Sequence, residues 1–116
     1  ILGTTGRGPY GIAIDNDGNI YTANGSANNV TKITPNGTST ILGTTGAYPI
    51  GIAIDNAGNI YTANLDSNNV TKITPNGTST ILGTTGTNPF WMAIDKNGNI
   101  YTTNHEANTV SKITTR

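Results

Sequence analysis

The chain has 116 residues, the length of one ordinary domain, and 34% of them are hydrophobic, which favours a folded chain over a disordered one. Six Lys and Arg balance six Asp and Glu without a run of either sign, so neither nucleic acid nor an anionic membrane is an expected partner. Cysteine is absent, which excludes disulfides and thiolate metal sites, and no stretch reaches the roughly 18 apolar residues of a spanning helix.

The chain opens on the phrase ILGTTG, which returns at Ile41 and Ile81. Residues 1–40 and 41–80 are identical at 33 of 40 positions, and residues 81–116 continue the pattern. The 22 Thr, 17 Asn, 15 Gly and 15 Ile are typical of strands and turns. We therefore divide the chain into three repeats, 1–40, 41–80 and 81–116.

Each repeat is predicted to hold four short strands, named a to d here. In the middle copy, strand a covers residues 51–55 and an Asn-Gly turn leads to strand b at 60–63. A polar loop, 64–69, precedes strand c at 70–73. The turn at 75–77 leads to strand d at 78–82, and the segment 83–89 leads to the next strand a.

Four adjacent antiparallel strands form a small twisted sheet that is marginally stable alone. Strand a places Ile52 and Ile54 on one face and Ala53 on the other, as expected where neighbouring sheets pack on both faces. A period near 40 residues is typical of propeller blades. We predict an all-β fold, a β-propeller of three four-stranded antiparallel blades; a coiled solenoid is the alternative.

The pattern P-x-G-I-A-I-D-x-x-G-N-I-Y, followed by N-N-V-x-K-I, resembles the NHL-type β-propeller repeat and the blades of streptogramin-lyase-like propellers. The resemblance covers the whole chain, three times over. It implies rings of about six blades. It implies no single activity, because relatives of this fold include binding scaffolds and enzymes.

The ends of the chain predict how such a ring closes. Ile1, Leu2 and Gly3 correspond to strand d, and the last strand, with Val110, Lys112 and Ile113, corresponds to strand c. The blades are thus circularly shifted, and each end lacks a partner strand. We expect a homodimer in which two chains close a six-bladed ring, with a piece of a longer chain or another multiple of three blades as alternatives.

The repeats differ mainly in the d-to-a and b-to-c loops, which a meander brings to the same end of the blade. Because binding residues often lie on such loops, this rim is the candidate site, against the simpler reading that surface loops drift. The candidate binding residues are Arg7, Tyr10, Tyr48, Asp66, Phe90, Trp91, His105 and Glu106.

Two features of the third repeat have alternative interpretations. His105 beside Glu106 has the chemistry of an acid-base or weak metal pair, yet it is the only histidine. The resemblance implies that an enzyme of the streptogramin-lyase-like type uses histidines and an acidic residue near the central channel, and repeats one and two carry Gly25-Ser26 and Leu65-Asp66 at the equivalent places. Trp91, where the other repeats have glycine, is either a stacking platform for a ligand or a filler of the channel mouth or subunit interface.

The Asp-x-x-Gly-Asn segments that begin at Asp15, Asp55 and Asp95 are predicted to be hairpin turns, since they lack the further acidic ligands of a calcium loop. No catalytic residue, metal or cofactor is assigned. The leading hypothesis is a non-enzymatic, self-assembling scaffold or binding module, natural or engineered. The alternative is a lyase- or lactonase-type enzyme that uses His105 and Glu106.

Overall fold

The computed structural model describes residues 1–114, which form eleven strands. The first four are β1 (Pro9–Ile14), β2 (Ile20–Asn24), β3 (Asn29–Ile33) and β4 (Ser39–Thr44). The next four are β5 (Pro49–Ile54), β6 (Ile60–Asn64), β7 (Asn69–Ile73) and β8 (Ser79–Thr84), and the last three are β9 (Pro89–Ile94), β10 (Ile100–Asn104) and β11 (Thr109–Ile113). No helix occurs within these residues, and so none that is long and apolar enough to cross a membrane.

The strands form three antiparallel sheets in chain order: β1-β2-β3-β4, β5-β6-β7-β8, and β9-β10-β11. We call these sheets blades 1, 2 and 3. The predicted all-β architecture of successive blades is confirmed, and blade 3 has three strands within the described residues. Strand a begins two residues earlier than predicted, because Pro49 pairs with Asn64 across an irregularity that precedes Gly51.

The hydrophobic core lies between the blades. Between blades 1 and 2, Tyr21 and Val30 of blade 1 form a buried cluster with Ile60 and Ile73 of blade 2, joined by the partly buried Leu42, Ile52 and Ile54. The corresponding cluster between blades 2 and 3 contains Tyr61, Val70 and Ile100, with Leu82, Met92, Ile94 and Ile113 packed against it. Each large apolar side chain buried in this way contributes roughly 1.5–3 kcal/mol. The blades therefore stabilise one another, and each joint repeats the same chemistry.

The a strands, β1, β5 and β9, lie side by side across the joints. Buried glycines on these strands allow backbone to approach backbone. A Cβ added at Gly51 would lie 2.6 Å from the Phe90 carbonyl oxygen, and one at Gly11 would clash with the Ile50 carbonyl oxygen. Glycine at this position is thus a requirement of close blade packing at both internal joints.

The a-to-b turns are organised by one carboxylate each. In blade 1, Asp15 Oδ1 accepts hydrogen bonds from the backbone N–H groups of Asp17 and Asn19, both at 2.9 Å. Its Oδ2 accepts from Asn19 Nδ2 at 2.9 Å and from the Tyr21 hydroxyl at 2.8 Å. Asp55 and Asp95 repeat this arrangement. Both oxygens are committed to the protein's own donors, as expected for a hairpin turn.

Candidate functional site

The d-to-a and b-to-c loops meet at one rim of the molecule. In each blade a backbone N–H of the b-to-c loop donates to a carbonyl of the d-to-a loop: Gly25 to Gly8 at 2.8 Å, Leu65 to Tyr48 at 2.9 Å, and His105 to Asn88 at 2.9 Å. The loops in which the repeats differ are therefore joined in the same way in all three blades. We call this surface the loop rim.

Buried asparagines anchor the loop rim from below. Asn24 is fully buried, and its Nδ2 donates to Asn29 Oδ1 and to Thr31 Oγ1, both at 2.8 Å. The Thr31 hydroxyl also accepts from the Gly6 N–H at 3.0 Å, which ties the incoming chain to the blade. Asn64 repeats these bonds, and Asn104 does so with Thr109 and Ser111. A satisfied buried amide of this kind fixes loop geometry, because an unpaired one is costly.

A second set of asparagines connects the loop rim across the joints. Asn28 Oδ1 accepts from the Tyr48 N–H at 2.8 Å, and Asn68 Oδ1 accepts from the Asn88 N–H at 2.9 Å. Both asparagines have positive φ, which asparagine tolerates better than most residues. The sequence predictions did not include this role, although the 40-residue spacing of Asn28, Asn68 and Asn108 could have suggested it.

Tyr48 is held in an unusual backbone conformation. Its φ is 58°, and the equivalent Gly8 and Asn88 have φ values of 67° and 57°. Glycine and asparagine suit this left-handed region, whereas tyrosine adopts it at a cost of about 1–2 kcal/mol. The Tyr48 hydroxyl is hydrogen-bonded to that of Tyr10 at 2.8 Å.

Five of the candidate binding residues form two aromatic groups. Tyr10 and Tyr48 bridge blades 1 and 2, with ring centroids 5.6 Å apart, and their hydrogen bond raises the pKa of Tyr10. In blade 3, the Phe90 ring contacts Trp91 edge-on at 5.5 Å and lies 5.8 Å from the His105 ring. Arg7 and Asp66 are exposed.

The His105 and Glu106 side chains are neighbours in space as well as in sequence. His105 Nδ1 lies 3.5 Å from Glu106 Oε2, and the side chains are 71% and 59% exposed. An ion pair this open to solvent is worth little and is screened by salt. Among residues 1–114, no three or more acidic and histidine side chains come together as a metal site. A cleft of about 600 Å³ is lined by His105 together with Phe90, Trp91, Thr103, Asn104, Asn108, Thr109 and Val110.

The residues predicted to close the ring occupy different environments. Ile1, Leu2 and Gly3 lie outside the strands, and Ile1 and Leu2 are exposed. A Cβ at Gly37 would lie 2.6 Å from the Leu2 carbonyl oxygen, and one at Gly77 would lie 2.7 Å from that of Leu42 on β4. Leu2 thus contacts the c-to-d turn of blade 1 in the same way that Leu42, on the d strand of blade 1, contacts the c-to-d turn of blade 2.

At the other end, Val110 and Lys112 are exposed on β11, and Lys112 Nζ lies 5.9 Å from the Tyr101 ring centroid. The Ile113 side chain packs into the cluster between blades 2 and 3. Ile113 therefore offers only its backbone to a further strand.

The two outward faces of the chain expose residues whose equivalents are buried. On blade 1, Ile12 and Ile14 are 67% and 64% exposed. On blade 3, Val110 is 67% exposed, whereas Val30 and Val70 are fully buried. We call the first surface the leading face and the second the trailing face. Ile12 and Ile14 were not among the predicted site residues, because identical sequence in two repeats gives no hint of a difference in burial.

The comparisons with known proteins concern the fold. No protein-family model matches the chain, and no curated protein matches it. Virginiamycin B lyase from Staphylococcus aureus superimposes with a TM-score of 0.78 at 23% identity, over 92% of this chain and 38% of the lyase chain. The chain has the β-propeller fold. The predicted resemblance to propeller blade repeats is thereby confirmed.

Two further solved structures support the β-propeller fold. A catalytically inactive histidine-to-alanine variant of the same lyase, solved with quinupristin, has a TM-score of 0.79 at 22% identity, over 91% of this chain and 38% of that one. A gluconolactonase from Xanthomonas campestris has a TM-score of 0.72 at 17% identity, over 85% of this chain and 35% of its own. The chain spans about two fifths of the length of these propellers.

Proposed function

We propose that this chain is a non-enzymatic propeller module that assembles with a second copy of itself, so that two chains close one six-bladed ring. The observation that carries the proposal is the contrast between Ile12 and Ile14, which are exposed on the leading face, and Ile52 and Ile54, which pack into the joint between blades 1 and 2. Clustered exposed apolar side chains mark interaction surfaces.

The leading and trailing faces are the two halves of one internal joint. At each internal joint, one blade contributes a Tyr and a Val, such as Tyr21 and Val30, and the next blade contributes isoleucines. The trailing face carries Tyr101 and Val110, and the leading face carries Ile12 and Ile14. A second copy therefore has the chemistry that each face lacks. Head-to-tail contacts of this type form rings when the rotation closes.

The free edge of β11 has a matching strand in the same sequence. On β3, Asn29, Val30 and Thr31 pair with Thr44, Gly43 and Ile41 of β4, which belongs to the phrase ILGTT. The partner's Ile1, Gly3 and Thr4 carry the same phrase and would pair with Ser111, Val110 and Thr109. An unpaired strand edge is a ready template for such addition.

In the assembled ring, the loop rim is the proposed recognition surface for a ligand or protein. It carries the exposed Tyr10 together with His105 and Glu106. Aromatic side chains of this kind supply large contact areas at interfaces.

Replacement of Ile12 and Ile14 by aspartate tests the assembly. Each Asp would place a charge in a joint that is apolar in its internal copies, so we expect the dissociation constant of the dimer to rise at least about a hundredfold. Sedimentation velocity over a concentration series measures this change. The matched control is Ile81→Asp, because Ile81 is 53% exposed on blade 2 although both neighbouring blades are present.

Equal weakening by Ile81→Asp, or no weakening by the Ile12→Asp, Ile14→Asp pair, would contradict the proposal. A monomer at every concentration would also contradict it and would leave further blades of a longer chain as the partner of the two faces.

A lyase- or lactonase-type activity is the second candidate, favoured by the names of the structural neighbours and by the histidine that the inactive lyase variant lacks. In this chain the candidate acid-base pair is His105 with Glu106. We expect His105→Ala to leave unchanged the melting temperature, any cleavage of quinupristin and any hydrolysis of a lactone, since its side chain is 71% exposed and paired only loosely. Turnover by the wild type that disappears in His105→Ala would establish the enzyme instead.

A further inference from the structure

The trailing face differs from the equivalent internal faces at the place where adjacent a strands approach most closely. Blades 1 and 2 have the buried Gly11 and Gly51 there, and blade 3 has Trp91, which is 54% exposed. An added Cβ at Gly51 would lie 2.6 Å from the Phe90 carbonyl oxygen and 3.1 Å from the Trp91 Cα atom. Even one methyl group at this position is thus incompatible with the internal backbone spacing.

The residue opposite Trp91 on the neighbouring strand has changed as well. Gly51 pairs with Ala63, and both Ala63 and its equivalent Ala23 are fully buried. Blade 3 has Thr103 at this position, and Thr103 is exposed. Its hydroxyl accepts a hydrogen bond from the Trp91 N–H at 3.3 Å. At these two facing positions, the side chains of the trailing face are therefore larger than those of the internal faces, and Thr103 is also more polar than alanine.

These differences set the geometry of the joint between copies, and the following inference rests on the proposed assembly. We infer that Trp91 is a specificity-determining wedge: a second copy docks with its β1 standing away from β9, and the Trp91 indole fills the gap. The joint between copies is then unlike the two joints within the chain. The ring has two such joints, one at each meeting of the copies, and these are the joints at which it opens.

The surroundings of Trp91 are suited to this role. An open cleft of about 360 Å³ on the trailing face is lined by Trp91, Met92, Ala93, Tyr101, Thr102, Thr103 and Val110. The lining is mainly apolar, as at the internal joints, and the edge-on contact with Phe90 limits the positions that the indole can take. A partner that covers Val110 also covers Trp91.

Trp91 is the only tryptophan in the chain and reports on the joint directly. On dilution from the assembled to the dissociated protein, we expect its emission to shift to longer wavelength and its quenching by acrylamide to increase severalfold. The Ile81→Asp variant, which leaves both faces intact, serves as the control and should show the same transition. Emission that stays constant while the mass halves would place Trp91 outside the joint and overturn the inference.

The order of affinities among variants at position 91 separates a wedge from a simple apolar contact. In a Thr103→Ala background, we expect Trp91→Gly to associate about tenfold more tightly than Trp91→Ala, because only glycine allows the internal spacing. Apolar burial alone predicts the reverse order. The presence of glycine in the equivalent strands β1 and β5 indicates that blade 3 also folds with it, which thermal unfolding of each variant checks.

The outcomes also separate this inference from the proposed assembly. If the wild type is monomeric but the Trp91→Gly, Thr103→Ala variant dimerises, Trp91 blocks docking, and both the wedge and the assembly of the native chain are wrong. If the wild type assembles and Trp91→Ala binds as tightly as Trp91→Gly or more tightly, the wedge is wrong and the assembly stands. Monomers throughout would overturn both.

Discussion

At the scale of single residues, the three turn aspartates hold the turns through hydrogen bonds that also lower the pKa of their carboxyl groups. Partial burial alone would raise the pKa of Asp15, but the hydrogen bonds from Asn19, Tyr21 and two backbone N–H groups outweigh it and lower the pKa to about 2. Asp95 likewise has its pKa lowered to about 2, and that of Asp55 is also lowered. Burial and the hydrogen bond to the carboxylate raise the pKa of Tyr21 and Tyr61. In each blade, folding therefore shifts the pKa of the turn aspartate down and that of the tyrosine bonded to it up.

These shifts predict acid sensitivity with a definite sign. A carboxyl group whose pKa is lower in the folded than in the unfolded state stabilises the fold above the unfolded value, near 3.9. That stability is lost as the pH falls from about 4 towards 2, where the folded carboxylates become protonated. We expect the melting temperature to fall steeply in this window and to be nearly constant between pH 5 and pH 8.

Removal of one tyrosine hydroxyl tests whether the turns cause the fall of the melting temperature at acid pH. Tyr61→Phe deletes the 2.7 Å hydrogen bond to Asp55 and keeps the buried ring, so we expect a loss of about 1 kcal/mol at pH 7 and a shallower acid transition. Tyr10→Phe is the matched control, because the Tyr10 hydroxyl contacts Tyr48 instead of a carboxylate. A steeper acid transition in Tyr61→Phe, or an equal change in Tyr10→Phe, would exclude the turns as the cause.

At the scale of strands and blades, much of the structure follows from the repeat. The alternation of Ile52, Ala53 and Ile54 predicted neighbouring blades on both faces, and Ile52 and Ile54 do pack against the cluster with Tyr21 and Val30. The turn at Asp55 also has the predicted form. These features are local, and chemical type and spacing suffice to predict them.

The features that were not predicted depend on contacts between blades. The extension of β5 to Pro49 arises from pairing with Asn64 across an irregular register. The asparagine bonds that join the loop rim depend on positive φ values at Asn28 and Asn68, and the need for Gly11 and Gly51 depends on backbone approach across a joint. Ile12 and Ile52 lie in the same local sequence. Ile52 packs against a preceding blade, whereas Ile12 has no preceding blade in the chain and is exposed.

At the scale of the whole molecule, three blades share two joints and leave one leading and one trailing face uncovered. These faces carry the same residue types that form the core elsewhere in the chain, apart from Trp91 and Thr103. Because the hydrophobic core lies only at joints, an additional joint would bury apolar area with no change in the blades themselves. Closure by a second copy is the arrangement we propose for the native chain.

The solution mass of the wild-type protein, measured by light scattering over a concentration series, tests this central claim most directly. The chain has a mass of 12.0 kDa, and two chains in a closed ring predict a plateau at twice that value. A plateau at three times the chain mass would mean a ring of more blades and would contradict the six-bladed closure. A mass of 12.0 kDa at every concentration would contradict self-assembly itself.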